Sequence, residues 1–577
     1  MLHKVLEQRL RQALAAVLPD ADTSAALVRP CPDPRFGDYQ TNALMALAKA
    51  RKINPRQLAA DVAAKLDIAE WCEPVEIAGA GFLNFRLKTA AIARALQAVA
   101  RGERALVEKT ARPRSILIDF SSPNAAKPMH VGHIRSTILG DSLARVSRLL
   151  GHRVITDNHL GDWGTQFGKL ILGWKTRLDS AALARDPLAE MERLYKLIHA
   201  ACELDPATLE TARRELVKLQ SGDEENLRLW RRMIALSQEQ FDRVYGRLGV
   251  KFDHTFGESY YNSRLKPVVE DLRRRGLARD SEGAVAVFFD DIPELKAQPA
   301  LVQKSDGGFN YTTTDLATLQ FRLEGGTWGG APDEIIYVTD GRQQLHFKQL
   351  FAVFRRWHPE APVKLAHVWF GSILGEDGKP FKTRSGDTVG LEDLLDEAEE
   401  RAFQVVSVKN PEWDTGQRRQ IARVVGLGAL KYADLSQNRQ SDYVFSWDRM
   451  LALQGNTAPY LLYAYTRVRS IFRKGGQTAA DPSSSAFVLD AREEIVLARR
   501  LLDFGLVLES VAEEYRPNFL CGYLYDLAGD FARFYENCPV LKAGDDSRAT
   551  RLALCDLTAR VLQQGLDALG IATTEQM

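Results

Sequence analysis

No two cysteines in this chain stand close enough to form a Cys-x-x-Cys pair. The six present (Cys31, Cys72, Cys202, Cys521, Cys538 and Cys555) are scattered over 577 residues. That spacing argues against a zinc ribbon and a disulfide-framed secreted scaffold, and it fits a reducing cytosol. A long apolar run is also missing, since nothing approaches the ~18 uninterrupted apolar residues that would span a bilayer. Excess charge is nearly absent: 76 Lys and Arg face 75 Asp and Glu, for a net charge of +1. No global basic field draws in nucleic acid, so any nucleic-acid site must be a local patch. The stretch MLHKVLEQRLRQALAAVL reads as an amphipathic helix of mixed charge, without the h-region and cleavage site of a signal peptide. What is present is an ordinary globular composition, 45% hydrophobic and 26% charged. The length suggests roughly three or four domains.

Residues 1–110 read as a small α+β domain. Helical spacing of Val5, Leu10, Leu14 and Val17 gives way to the loop CPDPRFGDYQTN, a second helix and a strand pair in VEIAGAGFLNFRL. A charged linker, ARGERALVEKTARPR, follows. Residues 111–390 then show a β-α-β pattern. SILIDF is a strand, His130 to Leu150 a helix capped by Gly151, and RVITDNHL the next strand. VAVFFDD, ALVQKS, EIIYVTD and LAHVWFGSIL read as further buried strands, and 175–245 as a helical insertion. From 391 to 577 strand signals almost vanish. The expected architecture is multidomain α/β: a Rossmann-like parallel-sheet catalytic core between an N-terminal α+β domain and a C-terminal all-α domain. Open parallel sheets bind ligands at the carboxyl ends of their strands. Polar clusters sit at such ends here, at 124–133, 157–168, 339–346 and 375–387.

The stretch SSPNAAKPMHVGHIRSTILGD, Ser121 to Asp141, lies where a strand ends and a helix begins. His130 and His133 fall in the helix's first turn, one turn apart, where free backbone N–H groups and the dipole favour an anion. Neutral imidazoles there can donate to phosphate oxygens. Gly132 lets a flat ligand approach, and Lys127 adds positive charge. Zinc is a poorer account, because no third ligand is near. Neither G-x-x-x-x-G-K nor G-x-G-x-x-G occurs at this strand. A purely structural histidine pair remains open on the short pattern alone.

The longer motif FSSPNAAKPMHVGHIRSTILGD closely resembles the HIGH signature of class I aminoacyl-tRNA synthetases, in the form carried by the arginyl-tRNA synthetase family. FGDYQTN, AGAGFLNFRL, GDWGTQFG, KLQSGDEE, GESYYN, GGFNYTTTDLAT, GKPFKTRSGDTV, KYADLSQNR and QGNTAPYLLYAYTRV follow that family's pattern in its order. The resemblance implies a two-step ligase. Arginine's carboxylate attacks the α-phosphate of ATP and pyrophosphate leaves. The terminal ribose of tRNA(Arg) then takes the arginyl group. Neither step needs a covalent enzyme intermediate; positioning and charge stabilisation carry such chemistry.

By this resemblance Lys127, His130, Gly132 and His133 bind ATP. GKPFKTRSGDTV departs from the usual Lys-Met-Ser-Lys-Ser loop: aligned on Thr383 and Ser385, the lysine positions hold Phe381 and Arg384. Lys379 and Lys382 are the candidate substitutes, and His130, His133, Lys379 and Arg384 form the expected catalytic set. A guanidinium fork must be met by fixed acceptors. Asp119, Asn124, Glu258, Tyr311, Asp315 and Gln343 match the family's arginine-binding positions. Glu258 and Asp315 would grip the guanidinium, Tyr311 would pack on it, and Asn124 and Gln343 would orient the α-amino end. His159, Asp162 and Trp163 should wall the same pocket, and His346 is either a ligand contact or a helix cap. Phe36, Asp38 and Gln40 would touch tRNA at the N-terminal domain. Tyr460, Tyr463 and Arg467, on one helical face, would read the anticodon, by stacking of unpaired bases. Magnesium is expected with ATP and no protein-bound metal. A cytoplasmic monomer with no membrane partner completes the expectation. A class I synthetase for another amino acid such as lysine, an RNA-binding paralogue, and a nucleotidyltransferase of the same fold are the rival readings.

Overall fold

A computed structural model describes residues 2–24, 26–33, 35–379, 381, 389–476 and 486–577. The chain divides into two compact units. One comprises Met1–Lys109, Leu453–Asp567 and Ala572–Met577; the other comprises Thr110–Ala452 and Ala568–Ile571.

The second unit is built on five parallel strands: β1 (Ser115–Asp119), β2 (Arg153–Asn158), β3 (His254–Thr255), β4 (Glu334–Asp340) and β5 (Lys364–Phe370), in the order β5-β4-β1-β2-β3. Ile118 of β1 pairs with Ile336 of β4 on one side and Thr156 of β2 on the other. The central strands are apolar on both faces because helices cover both. Helix α1 (Val131–Leu149) follows β1, α2 (Glu224–Leu248) precedes β3, and α3 (Tyr311–Glu324) and α4 (Gln344–Trp357) flank β4. From β1 the chain winds one way to β2 and β3, then returns to place β4 on β1's other side. The crevice between the carboxyl ends of β1 and β4 is therefore the switch point where such sheets bind ligands.

Two expected strands lie elsewhere. Ala284–Val287 and Ala300–Gln303 join Arg279–Ser281 in a separate antiparallel sheet. Their inward residues Val285, Val287 and Val302 pack into the same core as Leu117 and Ile155, so burial alone gave no sign of which sheet owned them. The insertion is helical, as Ser180–Arg185, Pro187–Leu204, Pro206–Gln220 and α2. Each helix starts on an aspartate, Asp179, Asp186, Asp205 or Asp223, whose carboxylate accepts a backbone N–H of the first turn. Helices α5 (Leu391–Lys409) and α6 (Thr415–Leu435) also belong to this unit. A Cβ on Gly426 would come within 2.4 Å of the Ala398 carbonyl, which measures how closely they approach. The loss of strand signals near 390 therefore precedes the packing boundary, which falls at Ala452.

The first unit holds a four-stranded antiparallel sheet, ordered Arg29–Pro30, Tyr39–Thr41, Phe82–Phe85 and Glu76–Ala78. In the turn of VEIAGAGFLNFRL, Gly81 has φ +127°, and a Cβ there would lie 2.8 Å from the Pro55 carbonyl. The same unit contains α7 (Ala458–Lys474), α8 (Arg492–Leu502), Phe504–Glu514, α9 (Asn518–Asn537) and most of Asp545–Ala568. Arg492–Leu502 and Phe504–Glu514 are parted at Asp503, whose carboxylate accepts the Tyr39 hydroxyl at 2.7 Å. Among the described residues no helix is long and apolar enough to cross a membrane.

Candidate active site

His130 is the N-cap of α1. Its backbone N–H donates to Nδ1 of His133 at 3.1 Å, and the Gly132 N–H donates to Nδ1 of His130 at 3.1 Å. Two imidazoles thus do the reciprocal capping usually done by Ser and Glu. Because Nδ1 accepts in each, the proton of the neutral ring sits on Nε2 in each. Burial, with His130 beside it, pushes His133 down to about 3. Burial also lowers His130, helped by the charges of Arg342 and Lys127. Both rings are neutral at pH 7, with centroids 4.0 Å apart. The result is two N–H donors at a helix N-terminus. Gly132 first makes room for protein: a Cβ there would lie 2.9 Å from Cε1 of His130.

The loop from β1 to α1 is strained. Ser121, Ser122 and Ala126 adopt φ of 73°, 49° and 62°, which non-glycine residues rarely do. Their N–H groups are held by Ser136 Oγ at 2.8 Å, Asn158 Oδ1 at 3.0 Å and Ser237 Oγ at 2.8 Å. Asn124 sits in this loop against Gly161; the Ala125 N–H donates to the Gly161 carbonyl at 3.1 Å. A Cβ on Gly161 would lie 2.2 Å from Asn124 Oδ1.

Glu258 opens a short 3-10 turn, Glu258–Tyr261. Burial raises its carboxyl to about 7; the charges of Asp315 and Asp162 add to this, and His159 eases it. Asp315 lies one turn into α3 and is 2.6 Å from His346 Nε2. Tyr311, 62% exposed, begins the same helix and meets the His346 ring at 4.8 Å in a T-shaped contact. Gln343 ends the turn Gly341–Gln343 that follows β4. Asp162 does something different. It accepts the Ser259 N–H at 2.8 Å and hydroxyl at 2.6 Å, anchoring the turn that carries Glu258. Trp163 packs edge-on against Trp230.

Asp119 turns out to face a resident guanidinium. Arg322 Nη2 donates to Asp119 Oδ2 at 2.6 Å and Asp157 Oδ2 at 2.7 Å, with the arginine side chain fully buried. Asp157 opens the polar cluster at 157–168, whereas Arg322 does not stand out in the sequence. Arg342, in the cluster at 339–346, lies one residue before Gln343, is largely exposed, and pairs with Asp340 through Nε at 2.8 Å and Nη2 at 3.0 Å. Lys127 is exposed, with its ammonium 5.1 Å from the Tyr195 ring centroid. The Lys379 carbonyl accepts the Gly375 N–H at 2.7 Å. Lys382 and Arg384 lie outside the described residues. The flanks are described: the Phe381 N–H donates to the Ile373 carbonyl at 3.0 Å, and the Val131 N–H to the Val389 carbonyl at 3.0 Å. Val389 therefore lies at the start of α1.

In the other unit Phe36 is half exposed, whereas the Asp38 side chain is 5% exposed. Asp38 accepts the Leu87 N–H at 2.6 Å and pairs with Arg499. Gln40 sits in the sheet, paired with Arg29 and Asn84. Tyr463 is 48% exposed; Tyr460 lies 5.6 Å from Tyr525, and the Arg467 guanidinium 4.7 Å from the Tyr535 ring. Among the described residues no three His, Cys, Asp or Glu side chains are grouped to hold a metal.

The family model "tRNA synthetases class I (R), catalytic domain" matches residues 95–447. The chain belongs to the arginyl-tRNA synthetase family. Models of the arginyl tRNA synthetase N-terminal domain and the DALR anticodon binding domain match 4–87 and 461–577. The synthetase is 47% identical to an arginine–tRNA ligase of Chromobacterium violaceum, over 100% of both chains. It is 46% identical to that of Synechococcus elongatus, over 99% of both. Among solved structures, arginyl-tRNA synthetase from Thermus thermophilus superposes with a TM-score of 0.83 at 28% identity over 100% of each chain. That from Plasmodium falciparum gives 0.82 at 29%, over 100% of this chain and 99% of the other. The enzyme is an arginine–tRNA ligase acting in translation, and it uses ATP. The rival specificities and the non-enzymatic reading are set aside by these matches.

Proposed function

We propose that arginine activation takes place at the switch point between β1 and β4, with ATP on the histidine side and arginine on the acid side. His130 and His133 offer neutral Nε2–H donors to phosphate oxygens, joined by Lys127, Lys379, Lys382 and Arg384, while Gly132 lets ATP lie close to the start of α1. ATP enters with magnesium as its counter-ion. Glu258 and Asp315 take the guanidinium, Tyr311 covers it, and Asn124 and Gln343 orient the amino end. Asp119 acts at one remove, through Arg322. The bound carboxylate then attacks the α-phosphate, the P–O bond to pyrophosphate breaks, and charge on the leaving group falls among fixed donors. Phe36 and Gln40 contact tRNA in the N-terminal domain, which spans 1–110. Tyr460, Tyr463 and Arg467 contact it in the anticodon domain, where exposed tyrosine rings can stack on unpaired bases. The enzyme works as a cytoplasmic monomer.

The observation that carries this reading is the pairing of two neutral imidazoles at a helix N-terminus with a carboxyl raised to about 7 in an acidic pocket. Arginine-dependent ATP–pyrophosphate exchange, run with and without tRNA(Arg), tests it. Exchange with arginine and none with lysine or citrulline is expected, because uncharged or point-charged ligands leave buried acids unpaired. Exchange that needs tRNA means RNA completes the site; exchange without it means a preassembled site. Equal exchange with citrulline would refute the acid pair.

A further inference from the structure

Arg135 lies two residues beyond His133 in α1, and its side chain is 1% exposed. Its guanidinium reaches three segments distant in sequence. Nη1 donates to the Gly371 carbonyl at 2.6 Å and the Ser441 carbonyl at 3.3 Å. Nε donates to Oδ1 of Asp434 in α6 at 3.2 Å and lies 3.0 Å from its Oδ2 in an ion pair. The rings of Phe370 and Tyr443 flank it, with centroids 5.6 and 5.2 Å away. These contacts surround the base of the ATP-side loop. Gly371 follows β5, and its N–H donates to the Arg439 carbonyl at 2.9 Å. Ile373–Leu374 pairs in parallel with Tyr443–Val444, and Ile373 in turn accepts the Phe381 N–H. A Cβ on Gly371 would lie 2.6 Å from Asp442 Oδ1 and 2.8 Å from the Ser441 carbonyl, so the two segments pack closely here.

A buried ion pair is a poor device for bare stability, since well-packed apolar residues do as well or better. A guanidinium fork does something an apolar side chain cannot: it fixes several acceptors at set angles. We propose that Arg135 is a positioning residue for the ATP step, setting the segment from Gly371 to Lys379 relative to His130 and His133. This rests on the reading of Lys379 as an ATP contact.

The test compares Arg135→Lys, Asp434→Asn and Lys379→Ala in the full-length enzyme by steady-state ATP–pyrophosphate exchange with saturating tRNA. Arg135→Lys keeps the charge and loses the fork. It is expected to lower kcat at least tenfold and raise the KM for ATP, with the KM for arginine within twofold. Asp434→Asn should show the same split more weakly, and it carries the test alone if Arg135→Lys does not fold. Wild-type kinetics in folded variants, or equal changes in the ATP and arginine constants, overturn the proposal. A silent Lys379→Ala overturns the reading beneath it. A Lys379→Ala defect on ATP beside a silent Arg135→Lys defeats the positioning role alone.

Discussion

His133 combines three constraints: it caps a helix, it is buried, and it stands beside another histidine. Burial and the neighbouring histidine keep its ring neutral, which suits a hydrogen-bond donor better than an acid–base catalyst. Replacing it by alanine should slow adenylate formation by roughly 10²- to 10³-fold, the scale for losing one preorganised donor. Affinity for tRNA should stay unchanged, as single-turnover activation and filter binding can establish. Glu258 carries the opposite perturbation. Its native value of about 7 lies above the ordinary 4.5, so unliganded protein loses stability through this group as pH rises from 4.5 to 7. Arginine, a cation, needs the ionised form. Its KM should therefore climb as pH falls below about 7, approaching tenfold per unit. Glu258→Gln should flatten that profile, raise the KM, and raise the melting temperature at pH 8. A flat wild-type profile between pH 6 and 8 would count against Glu258 as the guanidinium partner.

Elements place these side chains more tightly than their sequence spacing suggests. The approach of Asn124 to Gly161 joins the loops after β1 and β2. Gly161→Ala should push Asn124 away and raise the KM for arginine by roughly ten- to a hundredfold, the range for displacing a positioning group. Circular dichroism and melting should barely change; a large loss of stability would make Gly161 a folding residue instead. The parallel strands were legible in the sequence because burial on both faces writes them as continuous apolar runs. The separate sheet at 279–303 was not, because an apolar run does not name its partner strand. Nor did any glycine mark the left-handed turns at Ser121, Ser122 and Ala126, which three side-chain oxygens hold in place. Arg322 was invisible for a related reason: within TLQFRLE it has the look of a solvated helix residue, and only the tertiary fold brings two aspartates to it.

At the scale of the molecule, the order of motifs identified the family and most of the candidate site, while burial sorted the residues within it. Asp38 illustrates the sorting. Asp38→Asn should weaken the fold by about 1–3 kcal/mol in urea unfolding, since it leaves a half-buried arginine poorly paired. Phe36→Ala should leave stability unchanged and raise the KM for tRNA. The reverse pattern would return Asp38 to the RNA surface. The ties of Asp38 to Arg499, Tyr39 to Asp503 and Lys4 to Glu509 join the beginning of the chain to its far end within one unit. Synthesis runs in one direction, so Tyr39 leaves the ribosome 464 residues ahead of its partner. At about 5–20 residues per second that is a wait of roughly 20 to 90 s. Throughout it the N-terminal sheet waits for Asp503, and the parallel-sheet unit, built through Ala452, still lacks Ala568–Ile571. Each unit thus joins a segment made early to one made hundreds of residues later, or more than a hundred in the parallel-sheet unit.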